Sequence, residues 1–202
     1  MTLEQNYTAR YERALKPAAA ALQVLLADYL TGLQRIDRVA TRAKSVDRFV
    51  KKAESLVDGQ LKYSDPLSQI QDQIGARVVT FYLADVEAVA ERIRKYMNPI
   101  EIKTLVPDSE SEFGYVGQHL ILLLPTDVSA KIDEADLLLP PFFELQVKTL
   151  FQHAWAEANH DLLYKPAFAL SPDQRRKVAF TAAQSWGADM IFEELHKAGS
   201  QA

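Results

Sequence analysis

The stretch Ile74 to Tyr82, IGARVVTFY, is the clearest indication of fold in this sequence. Its β-branched and aromatic residues favour a strand, and its nearly continuous apolar character predicts that the strand is buried. After it, Asp85 can cap a helix. Asn98-Pro99 ends that helix, because the residue before a proline disfavours helical geometry. A buried strand followed by a helix is typical of an α/β domain.

Three more apolar runs predict the neighbouring strands. Ile100 to Val106 and His119 to Leu124 are separated by the polar, acidic loop Pro107 to Gly114. The third run, Phe142 to Lys148, lies further along the chain. With Ile74 to Tyr82, these runs account for four strands of a central mixed sheet, which we expect to have about five.

Helices are predicted towards both ends of the chain. Apolar residues at three-and-four spacing predict one helix over Leu22 to Ile36 and a second over Val46 to Val57, which Asp58-Gly59 would end. Thr149 to Tyr164 predicts a third, and a longer helix begins at Ser171. There Ser171 can cap the first turn while Gln174, three residues later, completes a capping box.

The order of these elements predicts one α/β (α+β) domain over residues 1–202, with helices flanking the sheet. Its helical flanks are expected at residues 1–40 and 171–198. We expect these flanking helices, which are longer than a lid over the sheet requires, to mediate homo-oligomers.

Composition excludes several kinds of chemistry. The chain has no cysteine, which rules out disulfides, thiolate metal sites and a cysteine nucleophile. With a net charge of −4, the protein surface as a whole does not attract a polyanion, so a nucleotide or nucleic acid must bind a local basic patch.

The apolar stretch Ala18 to Leu30 contains Gln23 and Asp28 and is too short and polar for a membrane span. We therefore expect a cytoplasmic protein without membrane association.

Two carboxylates stand where a charge is costly. Asp72 directly precedes the strand IGARVV, and Glu144 lies inside the apolar strand FFELQV. If the two strands are neighbours, both carboxylates can converge on one Mg²⁺ ion, which prefers one or two carboxylates completed by substrate phosphates and water. The alternative is that Asp72 caps a turn and that Glu144 points to solvent.

Positive charge is concentrated between residues 35 and 52. Seven basic and two acidic side chains give this segment a charge of +5 within a chain of net charge −4. Such residues can gather phosphate oxygens, and a guanidinium plane can stack on a purine, although a solvated charged face explains most such runs. Arg77, inside the apolar strand, requires an acidic partner or a ligand.

Two further motifs are less specific. In GYVGQH, residues 114–119, Tyr115 offers a flat face to a base and His119 can donate to a phosphate, whereas a hairpin turn would be the structural alternative. The segment QHAWAEANHD, residues 152–161, places two histidines and two acids at helical spacing. A zinc site is conceivable there, but mutual pairing of these side chains is the expected arrangement, because the HExxH order is absent.

Together and in this order, these segments resemble the synthetase domain of the RelA/SpoT family, the enzymes that make the alarmones ppGpp and pppGpp. The resemblance spans about residues 42 to 165. It is carried by Arg42-Ala43-Lys44 with Lys52, DQIGAR at 72–77, Gly114-Tyr115 with His119, ELQVKT at 144–149 and QHAWAEANHDLLYK at 152–165.

The resemblance implies a nucleotidyltransferase-like fold and a Mg²⁺-dependent transfer of pyrophosphate from ATP to the ribose 3′-hydroxyl of GDP or GTP, with release of AMP. Asp72 and Glu144 would hold the metal and act in catalysis, and Glu144 would also orient or deprotonate the hydroxyl. The implied ATP-binding residues, two arginines around the adenine and two lysines on the phosphates, are Arg42, Arg77, Lys44 and Lys52. The implied acceptor-binding residues are Tyr115, His119, Gln146 and Lys148.

Departures from the family pattern concern mainly the acceptor. Gly117 stands where relatives often have serine, and Lys148 stands where they have arginine. The lysine keeps the positive charge but cannot form the two parallel hydrogen bonds of a guanidinium group. The acceptor therefore stays open between a guanine nucleotide, an adenine nucleotide and the tRNA 3′ end, the last as in toxin-type relatives with an antitoxin partner. A nucleotide-binding module without turnover is a further alternative, which the retention of Asp72 and Glu144 disfavours. With no room for a hydrolase half, we expect synthesis only.

Overall fold

A computed structural model describes residues 1–107, 109, 112–114, 116–133, 138–163 and 170–200 of the chain. The strands are β1 (Ile36–Ala43), β2 (Leu56–Val57), β3 (Gln60–Leu61), β4 (Ile74–Thr80), β5 (Pro99–Leu105), β6 (Gly117–Leu123) and β7 (Phe142–Thr149). The helices are α1 (Leu3–Arg10), α2 (Lys16–Tyr29), α3 (Val46–Ala53), α4 (Pro66–Gln69), α5 (Leu83–Tyr96), α6 (Thr126–Ser129), α7 (Leu150–Leu163) and α8 (Pro172–Gly199). A π-helical turn, Tyr11–Leu15, joins α1 to α2.

Five strands form one mixed sheet in the order β1-β4-β7-β6-β5. The central strands β4 and β7 run parallel, and the other neighbouring pairs are antiparallel. Helices flank this sheet, and further helices lie at both ends of the chain. The predicted fold class, a mixed sheet of about five strands with flanking helices, is confirmed.

The register of the sheet separates an apolar face from a polar one. Side chains alternate between the two faces of a strand, so Phe143, Leu145 and Val147 of β7 share one face and are fully buried. Helices α2 and α5 pack against the sheet. The opposite face of β7 carries Glu144 and Gln146, together with Lys148. Because the helices cover the apolar face, they leave this polar face free to form a site.

The first predicted helix ends earlier than its apolar spacing suggests. Helix α2 stops at Tyr29, and Ile36 already begins strand β1, so the predicted helical flank of residues 1–40 is wrong at its end. Gly32 and Arg35 both adopt positive φ angles, which turn the chain from helix to strand. Leu30 continues the apolar spacing, but it is buried in the turn rather than in a helix.

The second predicted helix is also shorter than expected. Helix α3 ends at Ala53, and strands β2 and β3 form a hairpin over residues 56–61. Asp58 and Gly59 occupy its two-residue turn with positive φ, the conformation for which Asp-Gly is the favoured sequence. The dipeptide therefore forms a hairpin turn instead of a helix stop.

The start of helix α5 differs from the prediction, whereas the start of helix α8 agrees with it. Helix α5 begins at Leu83, so Asp85 stands at its third position rather than at its cap, and the Asp85 carboxylate accepts a hydrogen bond from the Tyr82 backbone N–H. At α8 the predicted capping box is present, because Ser171 and Gln174 bond reciprocally to each other's backbone N–H. Within the described ranges, no helix is both long and apolar enough to cross a membrane.

Candidate active site

The polar face of the sheet borders a cleft of about 140 Å³. Strand β1 lies on one side of β4, and β7 lies on the other, in a register that places Gly75 opposite both Arg42 and Glu144. The cleft is lined by residues from these three strands and from the turn before β4, among them Arg42, Asp72, Arg77, Glu144 and Gln146.

Asp72 stands in a short 3₁₀ turn, directly before β4 begins. Its Oδ2 accepts a hydrogen bond from Lys44 Nζ at 2.8 Å, and its Oδ1 accepts one from Lys52 Nζ at 2.9 Å. Burial alone would raise the pKa of Asp72, but the two ammonium groups outweigh it and the pKa is lowered. The carboxylate is thus ionised at neutral pH and pairs with two cations.

Glu144 faces the cleft and not the solvent. Its side chain is 19% exposed, His119 Nδ1 lies 2.6 Å from Oε1, and Gln146 Nε2 donates to Oε2 at 3.3 Å. Burial acts to raise the pKa of Glu144, as does the nearby Asp72, but the contacts with His119 and Gln146 together lower it by more. Asp72 and Glu144 line the same cleft, so the two carboxylates lie on one site.

The two arginines reach the cleft from neighbouring strands. Arg42 passes over Gly75, where an added Cβ would lie 3.9 Å from Arg42 Cγ. Arg77 has the acidic partner that its position requires, because Arg77 Nη1 lies 2.8 Å from Glu157 Oε1 of helix α7. The same nitrogen lies 3.4 Å from His153 Nδ1. Glu157 therefore pairs with an arginine of the sheet.

Lys148 lies two residues beyond Gln146 on the same strand and is 3% exposed. Burial, together with the positive charge of Arg77, lowers the pKa of Lys148 to about 8. It does not border the cleft around Asp72. Tyr115 lies outside the described residues, so its predicted place beside the acceptor is not described.

The structure thus brings together most of the residues singled out in the sequence, although their roles stay predictions. Arg42, Asp72, Arg77, Glu144 and Gln146 line one cleft, and Lys44, Lys52 and His119 contact its carboxylates.

Arg38 also lines the cleft but was not among the predicted site residues. The sequence contains a signal for it, because Arg38, Ala40 and Arg42 follow the two-residue period of a strand. This strand period was missed because a helix was predicted up to Ile36 and the following segment was interpreted only from its positive charge.

The donor set of the cleft suits Mg²⁺. Both carboxylates are ionised, and magnesium favours one or two such groups completed by phosphate oxygens and water. Among the residues described, no group of three or more histidine, aspartate or glutamate side chains is placed to hold a metal.

Comparison with known proteins places this geometry in a family. Residues 41–168 match the family described as "Region found in RelA / SpoT proteins". The chain is 28% identical over 170 residues to the GTP pyrophosphokinase YjbM of Bacillus subtilis, covering 77% of this chain and 74% of that protein.

Two solved structures share the fold over nearly their whole length. A GTP pyrophosphokinase family protein from Streptococcus pneumoniae has a TM-score of 0.76 at 21% identity, covering 100% of this chain and 97% of that one. The small alarmone synthetase 1 from Bacillus subtilis has a TM-score of 0.73 at 19% identity, covering 98% of both chains. Further structures of that synthetase hold its product pppGpp or AMPCPP. Since the family match spans more than half of its residues, including both carboxylates of the cleft, this chain belongs to the RelA/SpoT family.

Proposed function

We propose that this protein transfers pyrophosphate from ATP to the ribose 3′-hydroxyl of GDP or GTP and so makes ppGpp or pppGpp. The observation that carries the proposal is the cleft in which Asp72 and Glu144 meet between two arginines. The names of the relatives support it, because they are GTP pyrophosphokinases and small alarmone synthetases.

The proposed reaction exchanges one phosphorus–oxygen bond for another. The 3′-oxygen of the acceptor forms a bond to the β-phosphorus of ATP, and the bond from that phosphorus to the oxygen bridging the α-phosphate breaks. AMP leaves with the bridging oxygen. The hydroxyl proton passes to Glu144, whose lowered pKa keeps it ionised and able to accept a proton at neutral pH.

The donor side of the cleft is assigned to the basic residues. Arg42 and Arg77 present guanidinium planes that can stack on the adenine from two strands. Lys44 and Lys52, which pair with Asp72, are placed to contact the phosphates. Positioning and charge neutralisation supply most of the rate in phosphoryl transfer, so these contacts account for binding and much of catalysis.

Asp72 and Glu144 would hold the magnesium ion. When bound, the ion would neutralise charge that develops on the transferred phosphates. Lys44 is only 12% exposed, and its ion pair with Asp72 compensates the charge of this carboxylate. His119 and Gln146 hold Glu144 in place from the acceptor side.

One assay tests the donor, the acceptor and the product together. The protein is incubated with ATP, Mg²⁺ and in turn GMP, GDP, GTP, ADP and deacylated tRNA, and nucleotides are separated by chromatography. We expect AMP and a 3′-pyrophosphorylated guanine nucleotide with GDP or GTP. Product on ADP or on tRNA instead would favour the other acceptors, and growth arrest relieved by an adjacent gene product would identify an antitoxin. ATP left intact with every acceptor would contradict the proposal.

We also propose that α8 joins two copies of this chain. Helix α8 carries large apolar side chains that are about half exposed or more, namely Phe180, Trp186, Met190, Ile191, Phe192 and Leu195. Large apolar side chains exposed together on one helix are characteristic of an interface. Light scattering should give a mass above that of the monomer, which Ile191→Lys with Leu195→Lys should reduce. A monomeric mass for the unaltered chain would contradict this.

A further inference from the structure

Asp72 lies on a short segment that has little regular structure of its own. The 3₁₀ turn that carries it consists of Gln71–Gln73 alone, and Asp72 departs from helical geometry within it, with φ −94° and ψ 29°. So short a turn contributes few backbone hydrogen bonds of its own. The position of the Asp72 carboxylate therefore depends on the contacts that hold the residues beside it.

Gln73, the next residue, anchors this turn. It is fully buried, and its Nε2 donates to the backbone carbonyls of Leu67 at 2.8 Å and of Ile70 at 3.0 Å. Its own backbone carbonyl accepts a hydrogen bond from the Lys44 backbone N–H at 2.8 Å. Because a buried amide is stable only when its polar atoms are paired, these bonds fix the turn both to α4 and to the end of β1.

Arg10, the last residue of α1, completes this network from a distant part of the chain. Its Nη1 donates to Gln73 Oε1 at 3.1 Å and to the Leu67 backbone carbonyl at 2.8 Å. The oxygen and the nitrogen of the Gln73 amide are thus both paired. Arg10 is not among the residues that line the cleft. It contacts the segment behind Asp72 and not the cleft itself.

The same helix also holds a cationic partner of Asp72. The Tyr7 hydroxyl donates to the Lys44 backbone carbonyl at 2.8 Å, and Lys44 Nζ donates to Asp72 Oδ2 at 2.8 Å. Helix α1 therefore contacts the chain at Lys44 through Tyr7 and at Gln73 through Arg10. Both contacts are made directly beside the Asp72 carboxylate.

We propose that Arg10 and Gln73 are positioning residues, which hold the Asp72 carboxylate where it can bind a divalent cation together with Glu144; this inference rests on the proposed function. Mg²⁺ demands near-ideal octahedral geometry, so a displaced ligand binds it poorly. Groups that orient a metal ligand from behind commonly determine metal affinity, and their removal costs about 10- to 100-fold. Asp72 needs such groups because its own turn is short.

The test is the gain in nucleotide affinity that Mg²⁺ provides. The probe is AMPCPP, an ATP analogue in which carbon replaces the oxygen between the α- and β-phosphorus atoms, so that no pyrophosphate is transferred. Its affinity is measured by calorimetry with Mg²⁺ and with EDTA. In Arg10→Met, which removes the donor, we expect the ratio of the two affinities to fall about tenfold or more. The affinity in EDTA should stay unchanged, whereas a merely structural role would weaken binding in both conditions alike.

Arg92→Met is the matched control, because Arg92 makes the same kind of contact elsewhere in the fold. Its Nη1 also donates to two oxygens, the backbone carbonyls of Tyr29 at 3.3 Å and of Thr31 at 3.0 Å, at the end of α2. None of these three residues lines the cleft. Arg92→Met should therefore leave the gain from Mg²⁺ unchanged, and an equal loss in both variants would overturn the inference.

Two more variants examine the bonds separately. Gln73→Glu keeps the shape and the acceptor for Arg10 but replaces the two N–H donors, so it should lose the gain from Mg²⁺ as Arg10→Met does. It also provides the test if Arg10→Met does not fold. Arg10→Lys should recover most of the gain, because one nitrogen of Arg10 makes both bonds and an ammonium group can replace it. An unchanged gain in Gln73→Glu, or no recovery in Arg10→Lys, would overturn the inference.

The double variant with Asp72→Asn shows whether the effect of Arg10 passes through Asp72. Asp72→Asn alone should remove most of the gain from Mg²⁺. Adding Arg10→Met should then cost nothing further, since residues in one hydrogen-bond network are not additive. A further loss of the gain on this background would overturn the inference.

Release of AMP separates this inference from the proposed function. A gain from Mg²⁺ that depends on Arg10, without AMP release from ATP with GDP or GTP, would overturn the proposed reaction alone. Release of AMP, with a gain that Arg10→Met and Gln73→Glu leave intact, would overturn the role of the positioning residues alone.

Discussion

Gly75 of strand β4 lies directly opposite Glu144 of strand β7 in the parallel pair at the centre of the sheet. On its other side, Gly75 lies opposite Arg42 of β1, whose side chain passes over it. Because glycine has no side chain, the space above the sheet at this position is open, and Arg42 and Glu144 border the same cleft there. The central register of the fold therefore creates the site.

A side chain at Gly75 is expected to reduce activity according to its size. The nearest atom to an added Cβ is Arg42 Cγ at 3.9 Å, an ordinary contact, so Gly75→Ala should keep most of the activity. Gly75→Val adds two methyl groups that displace Arg42, and we expect KM for ATP to rise at least tenfold. Steady-state kinetics of both variants check this, and equal KM values for the two would contradict it.

Removal of His119 should shift the acid limb of the pH–rate profile. In the unaltered protein burial raises the pKa of Glu144, but the contacts with His119 and Gln146 together lower it by more. Without His119 the pKa of Glu144 rises, so the carboxylate becomes protonated at a higher pH as the solution is acidified. We expect the rate of His119→Asn to fall off at a higher pH than the unaltered rate does.

The profile of kcat/KM against pH decides this point, measured from about pH 3.5 to 8 so that it extends below the ordinary glutamate pKa of 4.5. Lys103→Gln serves as a control, because Lys103 lies opposite His119 on the edge strand β5 but pairs with Glu101. An unshifted acid limb in His119→Asn would show that His119 does not govern the ionisation of Glu144.

The ion pair between Arg77 and Glu157 should matter for ATP binding more than for turnover. Glu157→Gln weakens the contact that holds the guanidinium at the cleft, and we expect KM for ATP to rise a few-fold while kcat changes little. The matched control is Glu87→Gln, which weakens the 3.0 Å pair of Glu87 with Arg94 on α5 and leaves the cleft untouched. Similar KM values in both variants would contradict a role for Glu157.

Tyr7 ties the first helix to the site. Its hydroxyl donates to the Lys44 backbone carbonyl at 2.8 Å, and its ring, which is fully buried, stacks on Phe49 at 3.6 Å. Tyr7→Phe keeps the ring but leaves the carbonyl without this donor, which should lower the free energy of unfolding by about 1–2 kcal/mol. Chemical denaturation of Tyr7→Phe and of the exposed control Tyr96→Phe measures the difference. An unchanged free energy of unfolding in Tyr7→Phe would contradict the role of the hydroxyl.

The centre of this site is predictable from the sequence because its residues break local patterns. Glu144 is a charge inside an apolar strand, and Asp72 directly precedes a buried one, so both stand out against their neighbours in the chain. Strand β1 is harder to predict because its polar residues sit at the sheet edge, and the apolar spacing of α2 continues through Leu30 into the turn. Local spacing alone does not reveal where that helix ends.

Side-chain contacts that depend on how the helices pack cannot be predicted from the sequence pattern. Glu157 was expected to pair within its own helix, and that expectation does not reveal its ion pair with Arg77, on a strand far away in sequence. Asp189 lies on a helix that carries many exposed apolar residues, yet it is buried and accepts a hydrogen bond from Thr149. These contacts arise from the docking of α7 and α8 onto the sheet, which no spacing within either helix encodes.

The central claim is that Asp72 and Glu144 act as one unit in pyrophosphate transfer. The most direct measurement is the rate of AMP release from ATP and GDP with Mg²⁺ for Asp72→Asn, Glu144→Gln and the double variant, each shown to be folded. We expect each single change to reduce the rate by about a thousandfold or more and the double change to add little, because residues that act as a unit are strongly non-additive. Single variants that retain a rate within about threefold of the unaltered protein would contradict the claim.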